Sequence, residues 1–410
     1  MSTAQLTKTI TSIQKLLTQP AIHKTFKFVD SQLDTITDEQ IRICQIPAPP
    51  FAEQERAEYF LRRFSELGLT QVQIDQEGNC LGLRKGQRES PLLVISAHLD
   101  TVFPEGTDVT VSRSGQKLLA PGISDDCCGL VALMALASAL QAGTVDTEGS
   151  ILFVATVGEE GEGNLRGVRH LMTTGSWAKR IDAFISFDGA ETDRITNQAL
   201  GSRRYRVMFR GEGGHSWGDF GLANPVHAAG RAITKLASYP VPQEPRTTFN
   251  VGRIEGGSSV NSIPQDATME VDLRSESADE LLKLDAFFRR AVREAAEDEN
   301  TTRRTGERPL ELTVQLIGER PSGETPADSP IVQLALEATA ALGAQARCNQ
   351  ASTDSNLPIS LGIPAITIGA GGTSGNSHTL DEWYDPRRRD LGLKRGILLA
   401  LAIVGVVENK

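Results

Sequence analysis

Nowhere does the 410-residue chain carry an apolar run near the ~18 residues that a membrane-crossing helix requires. Its first ten residues, MSTAQLTKTI, lack the charged-then-apolar pattern of a secretory signal. A soluble, cytoplasmic protein without a membrane partner is therefore expected. Cysteine is sparse: Cys44, Cys80, Cys127, Cys128 and Cys348 are odd in number and scattered. That fits reduced thiols and excludes a disulfide framework. No CxxC pair suggests a structural zinc. Basic clusters with interleaved aromatics are missing too, and a formal net charge of −10 argues against a nucleic-acid partner. The densest basic run, Arg387 to Arg389, follows Asp385-Pro386 at an expected helix start and reads as a solvated face. Internal repeats and low-complexity tracts are absent.

What is present is enough apolar residue, 39%, to fill a core, over a length that suits two domains. The centre of organisation is Leu92 to Pro104, LLVISAHLDTVFP. Leu92 to Ala97 is a short apolar run of the kind buried on both faces of a parallel sheet. His98 and Asp100 follow it, and residues i and i+2 of an extended segment point the same way. A carboxylate so placed can fix the orientation of a metal-binding imidazole, although a single His-x-Asp pair is also a chance polar strand end.

Three further apolar runs end alike. Ile151 to Val157 leads into Gly158-Glu159-Glu160-Gly161-Glu162, Ile181 to Phe187 into Asp188-Gly189, and Pro364 to Ile368 into GAGGTSGNSHTLDEW with His378. In open α/β sheets the carboxyl-terminal strand edge is where ligands bind. Between the first two runs, GISDDCCG enters an Ala- and Leu-rich helix closed by Gly143. One of Asp125 and Asp126 could cap that helix, but capping needs one aspartate and two adjacent ones repel. Two histidines and several carboxylates suit zinc or another borderline divalent ion, with two ions sharing a carboxylate. Of Glu159 and Glu160, one can bind metal and the other can serve as base; alone, the pair would read as a solvated acidic turn.

The remainder is scaffold. Residues 1–50 read as helical and then irregular, with Thr37 and Gln40 as a capping box and Pro47, Pro49 and Pro50 as the stop. Ala52 to Leu67 is an amphipathic helix and Gln71 to Arg84 a hairpin. Residues 203–317 change character. Tyr205 to Arg210 reads as a strand, Asn224-Pro225 starts a helix, Thr247 to Ile254 and Ala267 to Leu273 alternate like strands, Ser277 and Glu280 cap a long helix, and Leu310 to Leu316 is a last strand. The order β-α-β-β-α-β is that of the ferredoxin-like unit. The expected architecture is thus α/β: a mostly parallel, helix-flanked sheet over 1–202 and 318–410, with a smaller α+β domain inserted at 203–317. Ser329-Pro330 starts a further helix, and a last one covers Gly392 to Val407.

The segments HLDTVFP, GISDDCCG, GEEGEG, FDGAE, GGHSW, GGSSVNSIP, DLRS and NSHTLDEW stand in the order found in dinuclear zinc exopeptidases and amidohydrolases. The chain resembles that family, which includes peptidase T, carboxypeptidase G, acetylornithine deacetylase and succinyl-diaminopimelate desuccinylase, from about residue 45 onward. The resemblance implies two zinc ions per subunit, with cobalt or manganese as alternatives. One is held by His98, Asp125 and Asp188, the other by Asp125, Glu160 and His378. It makes Asp125 the bridge, Asp100 the residue that orients His98, and Glu159 the general base. The family's bridging aspartate opens an Asp-x-Lys pattern; here Cys127 stands in place of the lysine, so Asp126 remains a reserve. Cys127 and Cys128 read as buried thiols and not as ligands.

The same resemblance makes the inserted domain a lid or dimerisation domain. It implies a homodimer in which His215 reaches the partner's active site and donates to the developing oxyanion. Asn261 and Arg274 match residues that contact the substrate's amide and carboxylate; for Arg274 a plain surface strand position is an equal alternative. His23, His170 and His227 match nothing. Aspartate at the Asp188 position goes with aminopeptidases and dipeptidases, and ASTDSNLPISLGIPAITIGAGG looks like peptidase T relatives. The expected function is cleavage of short peptides by a peptidase T-like aminopeptidase. The alternative is an N-acyl-amino-acid amidohydrolase (deacylase), dipeptidase or carboxypeptidase with the same site. A non-catalytic metal- or peptide-binding protein would be favoured by loss of the base, but Glu159 is present.

Overall fold

The computed structural model describes residues 10–407; the part of the expected amino-terminal helical region that falls on residues 1–9 lies outside the described residues. In chain order the first segment contains helices α1 (Ile13–Leu17), α2 (Pro20–Ser31), α3 (Leu33–Cys44) and α4 (Gln54–Glu66), then strands β1 (Thr70–Ile74), β2 (Cys80–Arg84) and β3 (Leu92–His98). It continues with α5 (Cys127–Ala142), β4 (Ser150–Thr156), α6 (Arg166–Thr173), β5 (Ala183–Phe187) and β6 (Arg194–Ala199). The middle segment is β7 (Gly201–Arg210), α7 (Pro225–Ala237), β8 (Thr247–Gly256), β9 (Asp266–Ser275), α8 (Ala278–Thr302) and β10 (Glu311–Arg320). The last segment supplies α9 (Pro330–Ala341), β11 (Arg347–Ala351), α10 (Asn356–Ser360), β12 (Ala365–Ile368) and α11 (Arg389–Val404).

The first and last segments form one unit, and their strands run in the order β1-β2-β4-β3-β5-β12-β6, with β11 beside β6. The four central strands, β4, β3, β5 and β12, are mutually parallel and buried at every position. Helices cover both faces. Ile95, Phe153 and Ile185 pack with α5 and α11 on one side; Val94, Leu152, Phe184 and Ala365 pack with α6 and α10 on the other. Strands buried on two faces need no polar alternation, which is why they read as unbroken apolar runs. Because they are parallel, all four deliver their carboxyl ends to one edge. Close packing of α11 depends on Gly392, where an added Cβ would sit 2.2 Å from the Ala370 carbonyl carbon.

The amino-terminal region is helical over Ile13–Cys44, in three successive helices, and then irregular over residues 45–53, as expected. Two expectations are corrected in this unit. Thr37 and Gln40 do not form a capping box: both lie inside α3, where the Thr37 hydroxyl donates to the Leu33 carbonyl at 2.9 Å. Arg389 is no solvated residue, being 2% exposed. Its guanidinium lies over the Tyr384 ring and donates to the Tyr384 hydroxyl, to Thr37 Oγ1 at 3.1 Å and to Gln40 Oε1. The supposed cap is thus the receptor of a buried cation, which must be hydrogen-bonded to be tolerated.

The second unit, Leu200–Gly323, is a sheet in the order β8-β9-β7-β10 with antiparallel neighbours, packed against α7 and α8. That is the ferredoxin-like arrangement. Local chemistry makes its helices start where they do. The Asn224 side chain accepts from the amides of Val226 and His227, with Pro225 next in line, and Ser277 accepts from the Glu280 amide. The unit is wider than the expected 203–317, because β7 and β10 stay paired as far as Ser202 and Arg320.

Among the described residues no helix is long and apolar enough to cross a membrane.

Candidate active site

The carboxyl ends of the four parallel strands converge on one cluster. At the end of β3 the buried His98 places Nδ1 3.0 Å from the backbone oxygen of Asp100 and 3.6 Å from its carboxylate. The nearer orienting acceptor is therefore the Asp100 carbonyl. The Asp100 carboxylate instead accepts the backbone N–H groups of Glu159, at 3.0 Å, and Glu160, at 2.7 Å, in the loop after β4. One side chain thereby ties two strand ends together. With Nδ1 donating to Asp100, His98 Nε2 faces outward and lies 3.0 Å from Asp125 Oδ1.

Asp125 and Asp126 have different partners. Asp126 caps α5, accepting from the Gly129 amide at 3.1 Å, and also accepts from the amides of His98 at 3.2 Å and Gly189 at 3.3 Å. Asp125 divides its two oxygens between two imidazoles: Oδ1 faces His98, and Oδ2 lies 3.1 Å from His378 Nε2. His378 Nε2 is also 2.9 Å from Glu160 Oε1. Donor atoms of His98, Asp125 and Glu160 all lie within 4.8 Å of one another, close enough to hold one ion. His378 and Asn376 are non-glycine residues in the left-handed region, at φ of 67° and 58°. Such conformations are costly and cluster at functional sites. Asp188, just past β5, is anchored by its amide to the Ile368 carbonyl at 3.1 Å and lies within electrostatic reach of Asp125, His98 and Glu160.

This donor set, two imidazoles and at least three carboxylates around one point, suits a divalent cation pair. Without cations the charges must pair with one another. Burial would lower the His98 pKa, but its hydrogen bonds with Asp100 and Asp125 outweigh that and leave it well above the usual value. The hydrogen bonds that Asp125 and Glu160 accept from it raise His378 to about 11. Burial pushes Asp125 up, yet His378 and His98 hold it below the usual carboxylate range. Asp188 is pushed up to about 6 by burial and by the neighbouring Asp125. At neutral pH the metal-free imidazoles therefore carry protons that a cation must displace. Metal uptake at pH 7 is expected to release protons, and apparent affinity should rise with pH below about 11. Calorimetric titration in buffers of different ionisation enthalpy measures this, and uptake without proton release would contradict the pairing.

Sequence reasoning missed three supporting residues. Glu382, four residues beyond His378, is fully buried and accepts from the amides of Gly122, Ser124 and Asp125 at 2.9, 2.8 and 3.0 Å, and from the Ser124 hydroxyl. It shapes the turn that presents Asp125. Arg56 is buried in α4 and donates to the carbonyls of Ile46 and Leu99, bracing the end of β3. Asp354, just before α10, is 1% exposed, and its Oδ2 is 2.5 Å from the Thr156 hydroxyl at the end of β4. Burial pushes Asp354 up to about 6. Asp354 and Glu382 both lie in segments quoted for the resemblance, ASTDSNLPISLGIPAITIGAGG and NSHTLDEW, but neither follows directly on an apolar run, so the strand-end pattern does not single them out. Replacing Glu382 with alanine leaves three buried amides without an acceptor. At about 1–3 kcal/mol for each such group, Glu382→Ala should lower stability by on the order of 3 kcal/mol or more and weaken metal binding. A denaturant titration and metal analysis would show both, and an unchanged midpoint would refute the role.

In the second unit, His215 and Asn261 lie together. Gly214 and His215 pair with Ile263 and Ser262, and the Ser216 amide donates to the Asn261 carbonyl at 3.0 Å. Arg274 is elsewhere. It sits at the Ser202 end of β9, whereas the His215 turn follows the Arg210 end, opposite Asp266. From Asp266 to Arg274 extended chain spans roughly 27 Å. Arg274 is bound to Asp272 at 2.6 Å. Cys127 and Cys128 are buried, and the Cys128 thiol donates to the Ser124 carbonyl.

The family model described as peptidase family M20/M25/M40 matches residues 94–403, from within β3 to within α11. The chain belongs to that family. M20 proteins are metal-dependent peptidases and amidohydrolases, and this M20 member is a metal-dependent hydrolase. Its relatives include the uncharacterized protein YqjE of Bacillus subtilis, 25% identical over 353 residues that cover 82% of this chain and 90% of YqjE. A succinyl-diaminopimelate desuccinylase of Nitrosospira multiformis is 27% identical over 274 residues, covering 62% of this chain and 71% of the relative. The crystal structure of the aminopeptidase PepT from Bacillus cereus shares the fold, with a TM-score of 0.73 at 19% identity over 91% of this chain and 99% of that one.

Proposed function

We propose that the protein is an aminopeptidase that removes residues from the amino ends of short peptides, in the manner of peptidase T. The observation that carries the metal-dependent hydrolysis in this reading is Asp125, whose two oxygens face two different histidines, His98 and His378. A carboxylate so split is built to bridge two cations. His98, Asp125 and Asp188 would hold one, and Asp125, Glu160 and His378 the other. The histidine and carboxylate donors favour zinc, with cobalt or manganese as substitutes. Bound there, a cation pair supplies Lewis-acid polarisation of the scissile carbonyl and acidifies water.

The chain's own residues do the rest. Glu159, buried and held by its amide to Asp100, takes a proton from the attacking water as its oxygen bonds to the carbonyl carbon. It then gives that proton to the departing amine nitrogen as the C–N bond breaks. Asp100 keeps His98 and both glutamates in register. In the homodimer that the reading includes, His215 donates to the developing oxyanion in the partner subunit's site and Asn261, beside it, meets the substrate's amide; Arg274, at the other end of β9, has no part in that group. The likeness to PepT supports a peptide substrate.

The desuccinylase relatives favour a second reading, an N-acyl-amino-acid amidohydrolase using the same machinery. Zinc-loaded protein should therefore be offered free tripeptides, N-acetylated tripeptides, dipeptides and N-succinyl amino acids. Release of the first residue from free tripeptides, abolished by N-acetylation, is expected. Turnover only of N-acyl amino acids would replace this reading with the second, and release of the last residue would mark a carboxypeptidase. Binding without any turnover would leave a non-catalytic binding protein.

A further inference from the structure

His215 sits in a turn whose backbone is fixed on both sides. On one side Gly214 and His215 are paired with Ile263 and Ser262. On the other, Asp219 closes the turn twice. Its carboxylate Oδ2 accepts the His215 amide at 2.6 Å, and its own amide donates to the His215 carbonyl at 2.9 Å. Gly214 permits this closure, since a Cβ there would lie 2.7 Å from Asp219 Oδ2. Within the closed turn the amides of Trp217 and Gly218 both point at the imidazole, each with its nitrogen 3.2 Å from His215 Nδ1. Two successive amides aimed at one point form a nest that accepts a lone pair or an anion.

Two N–H donors facing Nδ1 require that nitrogen to present its lone pair. A proton on Nδ1 would set donor against donors. The ring hydrogen of the neutral imidazole must then be on Nε2, the nitrogen that points away from the turn, because the bond made by one ring nitrogen decides the state of the other. We infer that Asp219 is a positioning residue: by closing the turn it aims the Trp217 and Gly218 amides at Nδ1 and so holds His215 in the Nε2–H tautomer, ready to donate. This rests on the proposed role of His215 as a donor to the oxyanion. An oxyanion donor serves only if its hydrogen is already in place when charge develops. Free imidazole, by contrast, divides its proton between both nitrogens.

The test uses zinc-loaded, full-length protein with nitrogen-15-labelled histidine, the His215 signals being assigned by their loss in His215→Gln. Long-range proton–nitrogen spectra at a pH where the ring is neutral should show an unprotonated Nδ1 and a protonated Nε2. In Asp219→Ala the two forms should mix. kcat should fall about 10-fold with KM little changed, the pattern of an interaction made only in the transition state. Asp219→Asn, whose side-chain oxygen can still accept the His215 amide, should restore both tautomer and kcat. A mixed tautomer in the unmodified protein would overturn the inference, and a single tautomer persisting in Asp219→Ala would overturn the part given to Asp219. If the tautomer mixes in Asp219→Ala while kcat stays constant, the positioning stands and it is the catalytic role of His215 that fails.

Discussion

Glu159→Gln is expected to lower turnover by roughly 10³-fold, the middle of the range for loss of a general base, while the protein keeps its full metal content. Glutamine preserves the size of the side chain and leaves the Glu159 amide free to donate to Asp100, so the loop after β4 should hold its shape. What it removes is an atom able to take the water proton. The neighbouring Glu160→Ala should do something different. Glu160 Oε1 contacts His378 and its donor atom lies within the His98 and Asp125 group, so its loss should empty or weaken one metal position and reduce activity through occupancy. Metal analysis beside steady-state kinetics separates the two. If Glu159→Gln lost metal and Glu160→Ala kept it, the two roles would have to be exchanged.

Asp125→Ala is expected to lose both ions and to fall to the activity of chelated, metal-free protein. The carboxylate is the only group in the cluster with one oxygen toward each imidazole, at 3.0 and 3.1 Å among the described residues. Deleting it leaves His98 and His378 with no common ligand. Asp188→Ala, which in the proposed ligand set removes a carboxylate from the ion shared by His98 and Asp125, should lose one ion and keep the other. A mixture of His215→Ala and Glu159→Ala protein tests the proposed homodimer. If His215 acts in a partner subunit's site, each mixed dimer would hold one site with both residues intact, so activity should reappear as subunits exchange. Asp125→Ala protein with two metal equivalents per chain and ordinary turnover would refute the bridge.

Much of the site is legible in the chain because its ligands sit at the ends of strands buried on two faces. Such strands must be apolar throughout, so the first polar residues after each run mark the sheet edge where ligands gather. His98, Glu159, Glu160 and Asp188 become candidates that way; His378, ten residues past Ile368, is a candidate only through its motif. The helix starts at Asn224 and Ser277 are legible for a similar reason: a cap is a hydrogen bond between residues two or three apart. Sequence by itself therefore determines the alternation of elements, the insertion of a ferredoxin-like unit, and which strand ends carry metal-type donors. Tertiary structure alone decides between partners that are distant in the chain. Asp125 and Asp126 are neighbours with the same side chain; Asp126 is engaged because the amides of His98 and Gly189 reach it across the sheet edge. Glu382 shapes the Asp125 turn from about 260 residues away. Thr37 and Gln40, spaced like a cap, bind Arg389 some 350 residues on, and Arg274 lies at the far end of β9 from the His215 turn. Periodicity and capping report only bonds a few residues long, and these pairings exist only once the parallel strands have brought remote loops to a common edge.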